Sequence, residues 1–393
     1  MKFILMSKYY LEIRNQIISV LEREFKLNPV PLHEPAFTGN EAQYLMQCLD
    51  TKMVSSIGPF VQQFERLLCD YTGAEYAVAT MNGTSALHLA LLTAGIKANE
   101  EVLVPALSFV ATANAVSYCG AIPHFVDSQE ETLGLDPIKL REYLSKTVIS
   151  DQGFSKNKLT GRIIKAVVPM HAFGHPIDIL ELIKLAEEFN LIVIEDAAES
   201  LGSLHNGKHT GTFAAAGILS FNGNKIITTG GGGAILTNNY DLYQRAKHKS
   251  TTSKLPHAWR YEHNEIGFNY RMPNINAALG CAQLENIEMK IKAKRELYEK
   301  YLVSFKNIEG LKLFSEPLQS RSNYWLQTIL LDDTTLKFRE MLLEDLNQAG
   351  FGSRPAWDLL CNLNPYKSCP TMDLSISMNL YDRLINIPSS VAV

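Results

Sequence analysis

Ile192-Val193-Ile194-Glu195-Asp196-Ala197-Ala198-Glu199 runs three β-branched apolar residues straight into two acids. A half-exposed strand would alternate polar and apolar side chains, so a continuous apolar run is a strand covered on both faces. Runs of the same texture stand at 76–79, 102–105, 122–127, 163–169, 218–221 and 234–237. Helical periodicity fills intervals at 85–95, 110–119, 137–144 and 179–189. Strands alternating with helices predict an α/β domain around a mostly parallel central sheet.

The texture changes toward both ends. An amphipathic helix is expected over 8–26, with Leu11, Ile17, Ile18, Leu21 and Phe25 recurring at near-helical spacing and Asn28-Pro29-Val30-Pro31 as its stop. Past 275 a single charge-laced helix is expected to 305, then a strand near 325–331 and a helix near 336–349. The resulting division is a helical arm (1–34), a large domain (35–274) and a smaller C-terminal α+β domain (275–393).

With 46% hydrophobic and 20% charged residues the chain reads as globular, not disordered. Thirty-seven basic against 41 acidic residues leave a formal charge of −4, which argues against a nucleic-acid partner. The apolar run Phe3-Ile4-Leu5-Met6 is too short for a signal peptide or a membrane span, so a cytoplasmic protein is expected, without membrane partners. Six scattered cysteines form no C-x-x-C pair and no zinc ligand set, so reduced thiols and no metal are expected.

Three segments carry chemistry, each at the C-terminal end of an apolar run, where parallel sheets bind ligands. Asn82-Gly83-Thr84-Ser85 opens a helix: Asn82 can cap, and the free amides with the Thr84 and Ser85 hydroxyls suit an anion, though a plain cap reads equally well. Glu195 and Asp196 enter a buried sheet end, where a carboxylate needs a cationic partner or its pKa climbs; capping of the next helix is the alternative for Asp196. Ser220-Phe221-Asn222-Gly223-Asn224-Lys225 delivers a lysine from a buried strand. A desolvated amine is a nucleophile toward aldehydes; a surface salt bridge is the bland alternative. Gly230-Gly231-Gly232-Gly233 is followed by a strand, not a helix, so no dinucleotide fingerprint is present, and Gly223-Asn224-Lys225 is no P-loop.

These motifs, in this order, resemble the sugar aminotransferases of the DegT/DnrJ/EryC1/StrS family. The resemblance runs from about residue 30 to the C-terminus. It includes Ser56-Ile57-Gly58-Pro59-Phe60 with Phe64-Glu65, then Phe109 with Ala111-Thr112, Glu195-Asp196-Ala197-Ala198, and Gly267-Phe268-Asn269-Tyr270-Arg271-Met272. The segment 220–233 looks most like the LegC-type branch. What the resemblance implies is a pyridoxal-phosphate enzyme of the aspartate-aminotransferase-like fold (type I), taking an amino group from glutamate to a UDP-linked 4-keto-6-deoxy-N-acetylhexosamine.

Carried over by position, Lys225 is the Schiff-base lysine and Asp196 pairs with the pyridine nitrogen. Phe109 covers the ring, and Thr84, Ser85 and Ser220 hold the phosphate. Asn269 reaches that phosphate from a partner subunit, which implies a homodimer. Glu199 lies near the phenolic oxygen, where an acid is awkward unless protonated or turned away. Ser55 and Ser56 are sugar-pocket candidates. Deoxygenating relatives carry histidine at the lysine position; Lys225 favours transamination over that reaction and over a non-catalytic sensor. His88 is expected to be structural, and His171 and His175 either line the pocket or are hydrogen-bonded loop residues. Trp259, Trp325 and Trp357 are expected in packing.

Overall fold

The computed structural model describes residues 2–26 and 29–391. Its main sheet runs in the order Tyr76–Thr80, Gly233–Thr237, Ala216–Ser220, Ile192–Asp196, Ile163–Val167, Glu101–Pro105, Ile122–Val126. The last five strands pair in parallel. Gly233–Thr237 is antiparallel to both its neighbours, so Tyr76–Thr80 points the same way as Ala216–Ser220. The expected runs are therefore strands of one mostly parallel sheet, and those ending at Thr80, Asp196 and Ser220 finish on one edge. Register makes this tight: Thr80 and Ser220 both sit opposite Gly233. A Cβ on Gly233 would lie 2.5 Å from the Asn82 carbonyl carbon, so only glycine lets the turn after Thr80 pass there.

Tyr76–Thr80 is pinned from behind. Glu65, on the helix Pro59–Thr72, accepts the Ala79 amide (2.8 Å) and forms a two-pronged ion pair with Arg271. That pair accounts physically for the motif residues Glu65 and Arg271, while Phe64 packs edge-on against Phe221.

The first helix, Lys2–Glu24, buries Tyr10, Ile13, Ile17 and Leu21 in one cluster with Leu297, Tyr301 and Leu342 of the C-terminal part. Of its expected stop, Asn28 lies outside the described residues; the side chains of Phe3, Ile4, Leu5 and Met6 do as well. The expected single helix over 275–305 is two helices, Asn274–Glu285 and Ile287–Phe305, broken where Asn286 leaves helical geometry (φ −108°, ψ 10°). Asparagine competes with the helix for backbone hydrogen bonds and favours such ends. The first of the pair packs in the large core through Ala277, Ala278 and Cys281, while the second supports the four-stranded sheet Leu311–Leu313, Gln327–Leu331, Leu384–Ile387, Arg354–Pro355. All six cysteines are unpaired, and among the described residues no helix is long and apolar enough to cross a membrane.

Candidate active site

A cavity of about 780 Å³ opens at the C-terminal edge of the main sheet, between it and the C-terminal sheet. Asn82 caps the helix Gly83–Thr93 by accepting the Ser85 amide at 2.8 Å. Gly83 lets this turn close on the next strand end: a Cβ there would stand 3.0 Å from that of Ser220. Thr84 and Ser220 line the cavity. Ser85 does not. Its buried hydroxyl turns back onto the Asn82 carbonyl (3.0 Å) and side chain (2.9 Å), so the outward-facing hydroxyl expected there is corrected to a local clasp.

The two acids ending Ile192–Asp196 part company, as alternation along a strand requires. Glu195 turns away and accepts the Gly211, Phe213 and Ala214 amides at 2.8, 2.8 and 3.1 Å, with His171 Nε2 at 3.2 Å. Asp196 lines the cavity. Its Oδ2 accepts from the Thr112 hydroxyl (2.8 Å) and its Oδ1 from the Ala198 amide (3.2 Å). Burial outweighs both bonds and pushes its carboxyl above the usual range.

Lys225 Nζ lies 3.0 Å from Glu199 Oε1 and 3.9 Å from the centre of the Trp325 ring. Burial raises the Glu199 carboxyl too, and Lys225 is the main influence opposing it. The acid that looked awkward is thus neither turned away nor alone. Its second oxygen accepts the Phe173 amide at 2.8 Å. Phe173 reaches that position in the left-handed region (φ 56°), a conformation an aromatic residue rarely adopts and a place where strain serves the site. Trp325 is fixed in turn by its Nε1, which donates to the Asn224 carbonyl at 2.7 Å.

Phe109, 51% exposed, lines the cavity at the start of the helix Val110–Tyr118. Trp325 and Trp357 also line it, the former buried and the latter stacked on Phe173 at 4.8 Å, so both are packed side chains of the cavity wall. Trp259 is 78% exposed. His171 is a hydrogen-bonded loop residue, whereas His175 is buried against Phe314 and Tyr324 with neither nitrogen bonded among the described residues. His88 packs among Tyr118, Phe268 and Tyr270.

Asn269, Ser55 and Ser56 are exposed and lie outside the cavity of their own chain. The Ser55 carbonyl accepts the Asn274 amide (2.6 Å). Sequence reasoning missed His33, Phe173 and Arg354, all at the cavity wall. They come from segments far apart in the chain, and no local spacing marks them.

A family model, the DegT/DnrJ/EryC1/StrS aminotransferase family, matches residues 35–393. GDP-perosamine synthase of Caulobacter vibrioides is 37% identical over 361 residues, which is 90% of this chain and 91% of that protein. The UDP-4-amino-4,6-dideoxy-N-acetyl-beta-L-altrosamine transaminase of Campylobacter jejuni is 30% identical over 342 residues, 84% of this chain and 85% of that one. Among solved structures, PseC of Helicobacter pylori, an aminotransferase involved in the biosynthesis of pseudoaminic acid, is similar at a TM-score of 0.83. Its identity is 25%, over 92% of this chain and 93% of that one.

Proposed function

The chain belongs to the DegT/DnrJ/EryC1/StrS aminotransferase family, and from that premise we propose that it uses pyridoxal phosphate to move an amino group from glutamate to C4 of a nucleotide-linked 4-keto-6-deoxy-N-acetylhexosamine. The observation that carries this reading is one cavity presenting Lys225 in contact with Glu199 together with the buried Asp196.

The residues fit the cofactor. Asp196 is a carboxylate that burial disfavours and a cation would satisfy, which suits a protonated ring nitrogen. The capped helix start at Gly83, with Thr84 and Ser220, suits a phosphate. Phe109 supplies a half-exposed ring for one face. When bound, pyridoxal phosphate supplies the electron sink that makes the donor carbon acidic.

The chain's own residues do the rest. Asp196 keeps positive charge at the ring nitrogen. Glu199 Oε1, at 3.0 Å, is placed to take a proton from Lys225 Nζ, and a raised carboxyl is a ready acceptor. Lys225 Nζ, once released by the amino donor, moves the proton at the reacting carbon as base and then acid. Trp325 fixes the amine's direction through its ring face.

We also propose a homodimer with shared sites. Ile57, Tyr261 and Ile266 are about four-fifths exposed, and Trp259 accompanies them. Large apolar side chains left this exposed suit an interaction surface. They stand close along the chain to Ser55, Ser56 and Asn269, and an interface formed by these segments would let Asn269 act on the neighbouring cavity.

The test is borohydride reduction of the holoenzyme followed by peptide mapping, with label expected on Lys225 and none, nor any turnover, in Lys225→Ala. Label on another lysine would end the assignment. A GDP-linked acceptor is the second reading, favoured by the names of relatives at 37% and 39% identity. NMR of the products from UDP- and GDP-keto-sugars separates the two. A sensor without catalysis would leave the visible cofactor band unchanged on addition of glutamate.

A further inference from the structure

We infer that Arg354 anchors an oxyanion of the substrates at the cavity wall, a reading that rests on the aminotransferase assignment above. Arg354 lies on the short strand Arg354–Pro355, paired with Leu384–Ile387 so that it faces Asn386. The mount is firm: the Asn386 side chain accepts the Thr328 hydroxyl at 2.8 Å, and the Ser353 amide is held by Asn347 at 3.2 Å. Arg354 and Asn386 line the same cavity as Lys225.

The other charged groups there are engaged. Lys225 is paired with Glu199, and Asp196 is bonded by Thr112 and the Ala198 amide. His33, the remaining side chain of the wall able to carry positive charge, is kept neutral at pH 7 by burial and by the nearby lysines. Most other arginines stand on carboxylates, Arg271 on Glu65 and Arg295 on Glu316 among them, while Arg66 and Arg245 share with Arg354 the lack of a salt bridge among the described residues but do not line this cavity. Arg354 has no carboxylate within salt-bridge distance and no side-chain hydrogen bond among the described residues.

A guanidinium fork matches a carboxylate or a phosphate in two parallel bonds. Both half-reactions bring such a group: the donor is a dicarboxylate, and the acceptor carries a diphosphate. A contact chain ties this cation to the reacting amine. Trp357, three residues beyond Arg354, stacks on Phe173, whose amide holds Glu199 against Lys225. A substrate whose amine or ketone meets Lys225 can therefore lay its anionic part along this aromatic wall toward Arg354.

The test titrates glutarate, UDP and GDP, none of which can react, into cofactor-loaded wild type, Arg354→Gln and Arg354→Lys by calorimetry. Arg354→Gln is expected to weaken at least one of them by tenfold or more, and Arg354→Lys, a point charge without the fork, to recover part of the loss. Loss for glutarate assigns the donor carboxylate, with a matching rise in KM for glutamate. Loss for UDP or GDP assigns the diphosphate, with a rise in KM for the nucleotide sugar. All three affinities within twofold of wild type in Arg354→Gln would overturn the inference, whatever happens to subunit association. Failure of the parent reading shows separately, as absence of borohydride label on Lys225 in the wild type.

Discussion

Asp196 carries two hydrogen bonds that stabilise its anion and a burial that opposes it. The balance is adjustable at Thr112, whose hydroxyl does nothing else for the carboxylate than donate to Oδ2. Removing a donor from a charged acceptor costs about 1.5–3 kcal/mol. In Thr112→Val the anion loses that support, so the Asp196 carboxyl rises further. The acidic limb of the kcat/KM profile should then move to higher pH, with roughly tenfold lower activity on it. A profile superimposable on that of the wild type would mean that Asp196 does not govern the acidic limb. Thr112 was legible in the sequence only as part of a motif, because its partner is 84 residues away. Glu199 was legible as an acid near the reacting centre, but its pairing with Lys225 depends on two loops meeting across the sheet edge.

His175 shows what an element's position does to a titratable group. It follows the short 3-10 turn Ala172–Gly174, packs edge-on against Phe314 and Tyr324, and burial lowers its pKa to about 3. The unfolded chain takes up a proton near pH 6.5 and the folded chain does not until about pH 3. Stability from this residue is therefore full above 6.5 and is lost progressively as pH falls toward 3, by an amount on the order of a few kcal/mol. His175→Leu should flatten the fall in urea midpoint between pH 7 and pH 5. An equally steep fall in both proteins would remove His175 from the account. The sequence offered two roles for this histidine, pocket wall or hydrogen-bonded loop, and the fold chose neither, since a turn's direction depends on what packs over it. The same limit explains the helix break at Asn286: apolar spacing persists across it, while the second helix starts in the large core at Ile287 and Ile291 and passes into the C-terminal core from Leu297 on.

Seen whole, the molecule joins its ends. The first helix packs with the C-terminal elements, and the cavity lies where this assembly meets the main sheet. A shared dimer site predicts complementation: Asn269→Ala and Lys225→Ala, each impaired alone, should regain partial activity when mixed, because one of the two sites in a mixed pair is intact. Light scattering on the mixture establishes that pairs form; activity no higher than the sum of the separate variants would count against sharing. By itself the sequence determined the class of fold, the order of its strands along the chain and the identity of Lys225 and Asp196 as residues delivered to one sheet edge. Each of these follows from local periodicity and from where an apolar run ends. Only the tertiary structure decided that Ser85 folds inward, that Glu199 pairs with Lys225, and that Trp325, Trp357 and Arg354 complete the wall. Such contacts join segments far apart in the chain, Phe173 and Trp357 among them, and chain spacing holds no record of which of them close on one another until the core has packed.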